Sequence, residues 1–306
     1  MSARWVATST DRPGFFFLSP GVSPNPDGIA RMVPIPLEDT FVDVLSKAQK
    51  GFKLGDADLA RRADVSLEEL ARAKRGEVEE EVLRKLARSL NLGKSSLVEL
   101  ARKGWFPDPL ELDGLAQFNT PFNDMTVNSY LVWDSRSKEA VAFDSGANAY
   151  GMMATVRTQN LQLKHLFLTH THGDHVADVD RIRSETGARM WVSEKEPFPE
   201  AETFAEGRSF ELGVLRIEAR STTGHSVGGT TYVITGLARP VAVVGDALFA
   251  ASMGGGGISF LDALANNRRK ILLLPDDCVV CPGHGPLTTV GWEKKHNPFF
   301  PEFQKS

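Results

Sequence analysis

One junction narrows the folding options of this chain more than any other. The apolar run Leu163-Lys164-His165-Leu166-Phe167-Leu168 leads straight into Thr169-His170-Thr171-His172-Gly173-Asp174-His175. A run of that length and character reads as a buried strand. Four imidazole and carboxylate groups (His170, His172, Asp174 and His175) then crowd into six residues at its end. Such groups are costly to bury unless they are paired or bound to metal, so the fold must give them something to hold.

Side chains alternate along an extended segment, so His170 and His172 face the same way. Asp174 and His175 lie where a helix begins, which aims them at a second position. Three later residues have the same setting: His225 in Thr223-Gly224-His225-Ser226, Asp246 in Gly245-Asp246-Ala247, and His284 in Pro282-Gly283-His284-Gly285-Pro286. Each follows or abuts a strand-like run and is flanked by glycine, which lets backbone approach closely. Loops at strand ends are where a rigid scaffold presents functional groups. Imidazole and carboxylate ligands suit zinc, iron or manganese.

The surroundings of these residues define a fold class. Across residues 105–306, short apolar runs alternate with helical patterns, as in an α/β sandwich. Strands are expected at 129–133, 140–143, 163–168, 190–192, 215–219, 231–234, 241–244 and 278–281, and helices near 147–158, 174–186 and 260–273. Residues 37–104 read as all helix. Phe41, Val44, Leu45 and Ala48 form one apolar stripe, and Leu83, Leu86, Ala87 and Leu90 another. Leu59 and Ala60 suggest a short helix. Ser66 with Glu69, and Ser96 with Glu99, have the spacing of capping boxes; the helix after Ser66 would bury Leu67, Leu70 and Ala71. Residues 1–36, rich in Pro and Gly, read as an extended leader with one strand at 14–18. The expected organisation is thus a leader (1–36), a helical domain (37–104) and an α/β domain (105–306).

The order HxHxDH, then a separate His, an Asp and a final His resembles the metallo-β-lactamase superfamily. The segment from Pro282 to Pro286, with Thr288, Thr289, Gly291, Glu293 and Asn297-Pro298-Phe299 after it, resembles short glyoxalase II-like hydrolases. The resemblance implies a four-layer αβ/βα sandwich with the site at one edge of the sheets. It implies two divalent metal ions, zinc first and iron or manganese as alternatives. His170, His172 and His225 would hold one ion, Asp174, His175 and His284 the other, and Asp246 would bridge them. Asp144, in Phe143-Asp144-Ser145-Gly146, matches the family's aspartate that supports the ligands. The implied reaction is hydrolysis of a small ester or thioester by a hydroxide shared between ions about 3.5–4 Å apart. Asp174 would also orient that nucleophile, and Asp174 and Asp246 are the expected catalytic residues.

Some features depart from relatives. Glyoxalase II proper carries a helical C-terminal domain that contacts glutathione, whereas this chain stops about twenty residues past His284; glutathione is therefore not the expected substrate. Ala250-Ala251-Ser252-Met253 and four glycines stand where relatives carry a Gly-Arg-Thr-Asp type segment, and Leu248 and Phe249 where lactonases carry a tyrosine. The glycines read equally as a lid and as a linker. A persulfide dioxygenase-like enzyme, with one iron on His170, His225 and Asp246, is the competing enzyme reading.

Residues 57–70 resemble the helix-turn-helix of small Cro-type repressors, which adds a third reading, a DNA-binding regulator with a metal-containing sensor domain. Against DNA binding, residues 37–104 hold 14 Lys plus Arg and 13 Asp plus Glu, a net charge of 14 − 13 = +1, and such domains usually show a basic face. Packing, dimerisation to a homo-oligomer or substrate gating is the favoured role. Cys278 and Cys281 are expected to pack in the core, His165 to pack within its strand, and His296 to lie at the surface. Trp105 and Phe106 are placed at the junction of the two domains. No run approaches the ~20 apolar residues of a membrane span, so the expected protein is cytoplasmic and acts on a small molecule.

Overall fold

A computed structural model of the protein describes residues 34–304, together with the backbone of Val22–Pro24 and Ala30–Met32. The strand expected at 14–18 lies outside the described residues. Val22–Pro24 (β1) and Ala30–Met32 (β2) pair antiparallel, Val22 opposite Met32. Residues 35–306 form a separate compact unit.

That unit opens with five helices: α1 (Phe41–Gly51), α2 (Asp56–Ala63), α3 (Leu67–Lys74), α4 (Glu80–Ser89) and α5 (Lys94–Ala101). Ser66 caps α3 as its spacing predicts: Ser66 Oγ accepts from Glu69 N at 3.1 Å, and Glu69 Oε2 accepts from Ser66 N at 2.6 Å. Such a cap contributes about 1 kcal/mol. Leu67, expected in the apolar stripe, is exposed instead. The Ser96–Glu99 box does not form. The helix starts three residues earlier, after Gly93, and Ser96 Oγ donates to Gly93 O at 3.2 Å. Glu99 turns to the C-terminal helix, where its carboxylate lies 2.7 Å from His296 Nδ1.

The strands then build two six-stranded sheets. The first contains β3 (Leu115–Phe122), β4 (Met125–Trp133), β5 (Glu139–Phe143), β6 (Gln162–Phe167), β7 (Arg189–Ser193) and β8 (Glu202–Phe204), side by side in that order. The second contains β9 (Ser209–Leu212), β10 (Leu215–Ser221), β11 (Thr230–Thr235), β12 (Val241–Gly245), β13 (Val279–Pro282) and β14 (Thr288–Thr289), likewise in sequence order. Pairs β5–β6, β6–β7, β7–β8 and β12–β13 are parallel.

The period-2 alternation of strands sorts residues between layers. Val132, Val141, Phe143, Phe167, Ile217, Tyr232, Val243 and Cys281 share the core between the sheets. Their neighbours Leu131, Ala140, Ala142 and Leu166 face outward, under α6 (Tyr150–Thr158) and α8 (Val179–Thr186). On the far side, Val233, Ala242, Val244, Cys278 and Val280 meet α9 (Phe260–Asn266) and helices α1–α5 in one continuous apolar cluster. The fold is therefore the αβ/βα sandwich, and the helical segment shares a core with its outer layer. Cys278, just before β13, and Cys281, within it, are buried in the cores on opposite sides of the sheet.

Two expected helices are broken. Residues 174–186 form α7 (Gly173–Val176) and α8, separated at Asp178, whose carboxylate accepts from Ala149 N at 2.9 Å and Arg181 Nε at 2.7 Å. Residues 260–273 form α9 and then a π-helical turn at Asn267–Ile271, where buried Asn267 Nδ2 donates to Ala247 O at 2.7 Å. A last helix, α10 (Val290–His296), follows β14. His296 is not a free surface residue: it stacks on Trp105, with ring centroids 4.4 Å apart. His165 accepts from Trp191 Nε1 at 3.0 Å and packs among aromatic rings. No helix among the described residues is long and apolar enough to cross a membrane.

Candidate metal centre

The C-terminal ends of β6, β12 and β13, with the β10–β11 loop, bring all seven predicted residues together. His170 and His172 follow β6, Asp174 and His175 lie on α7, His225 is in the β10–β11 loop, Asp246 follows β12 and His284 follows β13. They fall into two groups, His170/His172/His225/Asp246 and Asp174/His175/His284, and within each group the ligating atoms lie within 4.8 Å of one another. Asp246 touches both: Oδ2 is 3.3 Å from His225 Nε2 and 3.5 Å from His284 Nε2, while Oδ1 is 3.3 Å from His175 Nε2.

The outer edge of each ring explains which nitrogen faces inward. His225 Nδ1 lies 3.0 Å from Gly255 O, and His284 Nδ1 lies 2.7 Å from Thr126 O. A carbonyl only accepts, so both Nδ1 atoms carry hydrogen. Asp144 imposes the same tautomer on His175, with Oδ2 2.8 Å from Nδ1. Asp144 also accepts from Thr169 N and Thr169 Oγ1, each at 2.7 Å. With its proton given to Asp144, the Thr169 hydroxyl accepts from His170 Nδ1 at 3.0 Å. In the neutral rings, four Nε2 lone pairs therefore point into the site. His172 joins through Nδ1, 3.1 Å from both His170 Nε2 and His225 Nε2.

Lone pairs facing lone pairs and carboxylates require cations. His175 Nε2 and Asp246 Oδ1 are buried with no hydrogen-bond partner, an arrangement that proteins rarely keep without a ligand. Gly283 leaves the space: a Cβ there would collide with Asp246 Oδ1 and stand 2.7 Å from His175 Cε1. The donor set thus fits divalent metal ions, and the outer hydrogen bonds are of the kind that orient metal-binding histidines.

The charges of the metal-free chain point the same way. Burial opposes a charge on His175, but Asp246 and Asp144 outweigh it and raise its pKa to about 10. Burial likewise opposes charge on His284, where Asp174 and Asp246 win and raise the pKa to about 11. Burial pushes His170 well below its ordinary value, helped by the charge on His175. Burial disfavours ionised Asp246, yet His175 and His284 hold its carboxyl well below the usual range. Two positions thus hold protons that a cation would replace.

Other groups here were not anticipated. Glu196 ties two ligand loops together, accepting from Thr171 N at 2.9 Å, Thr171 Oγ1 at 2.7 Å and Gly228 N at 2.7 Å. Asn128 Nδ2 and Tyr130 OH hold Pro282 O at 2.9 and 2.7 Å, which sets the backbone before His284. Nothing local in the sequence marks these residues; their role arises only when the loops meet.

Residues 123–284, which contain all seven groups, match the metallo-beta-lactamase superfamily. The chain belongs to that superfamily. It is 29% identical over 204 residues to "Hydroxyacylglutathione hydrolase GloC" of Haemophilus influenzae, covering 58% of this chain and 95% of that protein. It is 29% identical over 199 residues to "Probable metallo-hydrolase M6_Spy0554" of Streptococcus pyogenes, covering 56% of this chain and 84% of that one. Among solved structures, the BLEG-1 B3 metallo-beta-lactamase aligns with a TM-score of 0.53 and 28% identity, over 60% of this chain and 99% of its own. Helices α1–α5 precede the matched family segment.

Proposed function

We propose that this superfamily member is a metal-dependent hydrolase of small esters or thioesters, with two divalent ions, zinc foremost, held by the seven residues above. The observation that carries this reading is the carboxylate of Asp246 reaching within 3.3 Å of His225 and of His175, one from each group. Superfamily membership and two relatives named as hydrolases support the coarser reading of a metallo-hydrolase.

Divalent ions held there would lower the pKa of water toward neutrality and polarise a carbonyl oxygen. The chain's own residues do the rest. Asp174, kept ionised by His284 and His175 despite its burial, would accept a hydrogen bond from attacking water and orient it. Asp144, Thr126 and Gly255 hold the imidazoles in their inward-facing tautomers. Water adds to the acyl carbon, the acyl–sulfur or acyl–oxygen bond breaks, and acid and thiol or alcohol are released. A thiol with a pKa near 8.5 leaves as thiolate without a strong acid.

Two sequence-based expectations change weight. The chain covers 95% of a relative named as a hydroxyacylglutathione hydrolase, so glutathione thioesters return to the substrates to be tested. The DNA-binding reading loses ground because the basic residues on and just after α3 are engaged: Arg72 with Glu79 at 2.8 Å, Lys74 with Asp56 at 2.5 Å and Arg75 with Glu68 at 3.4 Å.

The test is hydrolysis of a panel of neutral acyl esters and thioesters by the purified chain, before and after chelation and zinc restoration. Hydrolysis should vanish on chelation and return with metal, and Asp246→Ala should lose metal and nearly all turnover. Full metal content and full turnover in Asp246→Ala would overturn the assignment. Oxygen uptake on a persulfide by a single-iron form would favour the dioxygenase reading.

A further inference from the structure

Beside the histidine cluster lies a cleft of about 590 Å³, lined on one side by His172 and His225, on another by residues 255–258 after the bridging aspartate, and on a third by Lys47, Lys50 and Gly51 of α1. That volume is typical of a small-molecule site. The third wall comes from outside the segment matched to the superfamily.

Several contacts fix this wall. Lys47 Nζ donates to Met253 O at 2.9 Å and pairs with buried Asp39, which also receives Ser252 Oγ. Gly51 lies so close to the Phe260 ring that a Cβ has no room there, and Phe52 meets the same ring edge-on at 5.2 Å. The end of α1 is thereby locked to the loop that runs from Asp246 to α9.

The two lysines differ. Asp39 neutralises Lys47, whereas Lys50 is exposed and makes no ion pair among the described residues. Glu38 packs its backbone against Gly285, 3.2 Å from where a Cβ would stand, and burial, opposed by His284, raises the pKa of its half-buried carboxyl. A negative group on the substrate is attracted to the uncompensated charge of Lys50 at the cleft. Ile258, 59% exposed at the cleft, offers an apolar surface next to that charge.

We propose that α1 completes the substrate site, and that Lys50 binds an anionic group, carboxylate or phosphate, carried by the ester or thioester. The inference rests on the hydrolase reading above. It gives the helical segment a role in specificity, and Lys50 acts by binding substrate, away from the reacting atoms.

The experiment uses the metal-loaded full chain and three acetyl thioesters, of 3-mercaptopropionate, of 2-mercaptoethyl phosphate and of neutral 3-mercaptopropionamide. Wild type should favour at least one anionic thioester over the neutral one by about fivefold in kcat/KM, the upper end for a single exposed ion pair. The better anion identifies the group. Lys50→Ala should erase the preference through KM with kcat retained, and Lys50→Glu should reverse it. Calorimetric binding of the uncleavable thioether 3-(butylthio)propionate and of its neutral primary amide reads the same preference without turnover. Equal binding of the two by wild type, or an anion preference unchanged in Lys50→Glu, overturns the proposal. Loss of all three hydrolyses with the binding preference intact strikes the hydrolase reading alone.

Discussion

Asp144→Asn isolates the role of ring orientation in metal binding. Asp144 sits at φ +55, a conformation that asparagine also tolerates, so the backbone need not move. The carboxylate accepts three hydrogens, from Thr169 N, Thr169 Oγ1 and His175 Nδ1. Asparagine has one oxygen and an NH2 group. If its oxygen keeps Thr169 N, the NH2 faces His175 Nδ1 and can donate only to a bare nitrogen. The proton of His175 then moves to Nε2, the atom 3.3 Å from Asp246 Oδ1 and 3.6 Å from Asp174 Oδ2. The inward lone pair is lost. Removing such a supporting carboxylate typically costs 10–100-fold in metal affinity, about 1.4–2.7 kcal/mol. Competition titration against a chromophoric chelator should show that loss at the Asp174/His175/His284 position, with the other position weakened less. Wild-type affinity at both positions in Asp144→Asn would refute the tautomer argument.

Three further outcomes follow from the same geometry. Loading the metal-free chain at pH 7.5 should release at least two protons, because His175 and His284 hold theirs to about 10 and 11 and metal ligands must be deprotonated, with any further proton coming from metal-bound water; calorimetry in buffers of different ionisation enthalpy counts them. Gly283→Ala should weaken both metal positions, since its Cβ would collide with Asp246 and crowd His175, and should cost ~1–3 kcal/mol of stability from overpacking, read by metal analysis and urea unfolding. Burial raises Glu293 from 4.5 to about 7 against the hydrogen bonds from Asn297, Thr288 and Ala251. The folded chain thus keeps a proton that the unfolded chain loses first, so this stability is present below about pH 4.5 and is lost as pH rises through about 7. The loss is about 3 kcal/mol, and Glu293→Gln should flatten that part of the unfolding-versus-pH profile.

Much of the sandwich was legible because its central strands are buried on both faces. The run Val241-Ala242-Val243-Val244 can hide its residues only between two layers, and it does. The clustering of the seven candidate residues was legible for a related reason: charged and imidazole groups beside glycine at the end of such a run have few structural explanations. The edge strands were not legible. β8 and β9 have three and four residues, too short for a period to show, and β3 carries Asn119, Thr120 and Pro121 within its span. Ser96 and Glu99 kept the spacing of a capping box, but distant partners, Gln304 and His296, claimed both side chains. Local spacing cannot register such competition. Nor does anything within α1 reveal that Lys47 and Lys50 border a site formed some 120 to 200 residues later; that proximity belongs to the tertiary packing of α1 on the loop after Asp246.

The central claim is that seven side chains form two adjoining metal positions. Metal identity and stoichiometry, measured on the full chain purified without chelator or added metal and again after reconstitution, test it most directly. The account predicts close to two ions per chain, zinc first, with Asp246→Ala losing most of at least one. No bound metal after reconstitution, or a single ion in both wild type and Asp246→Ala, would contradict it.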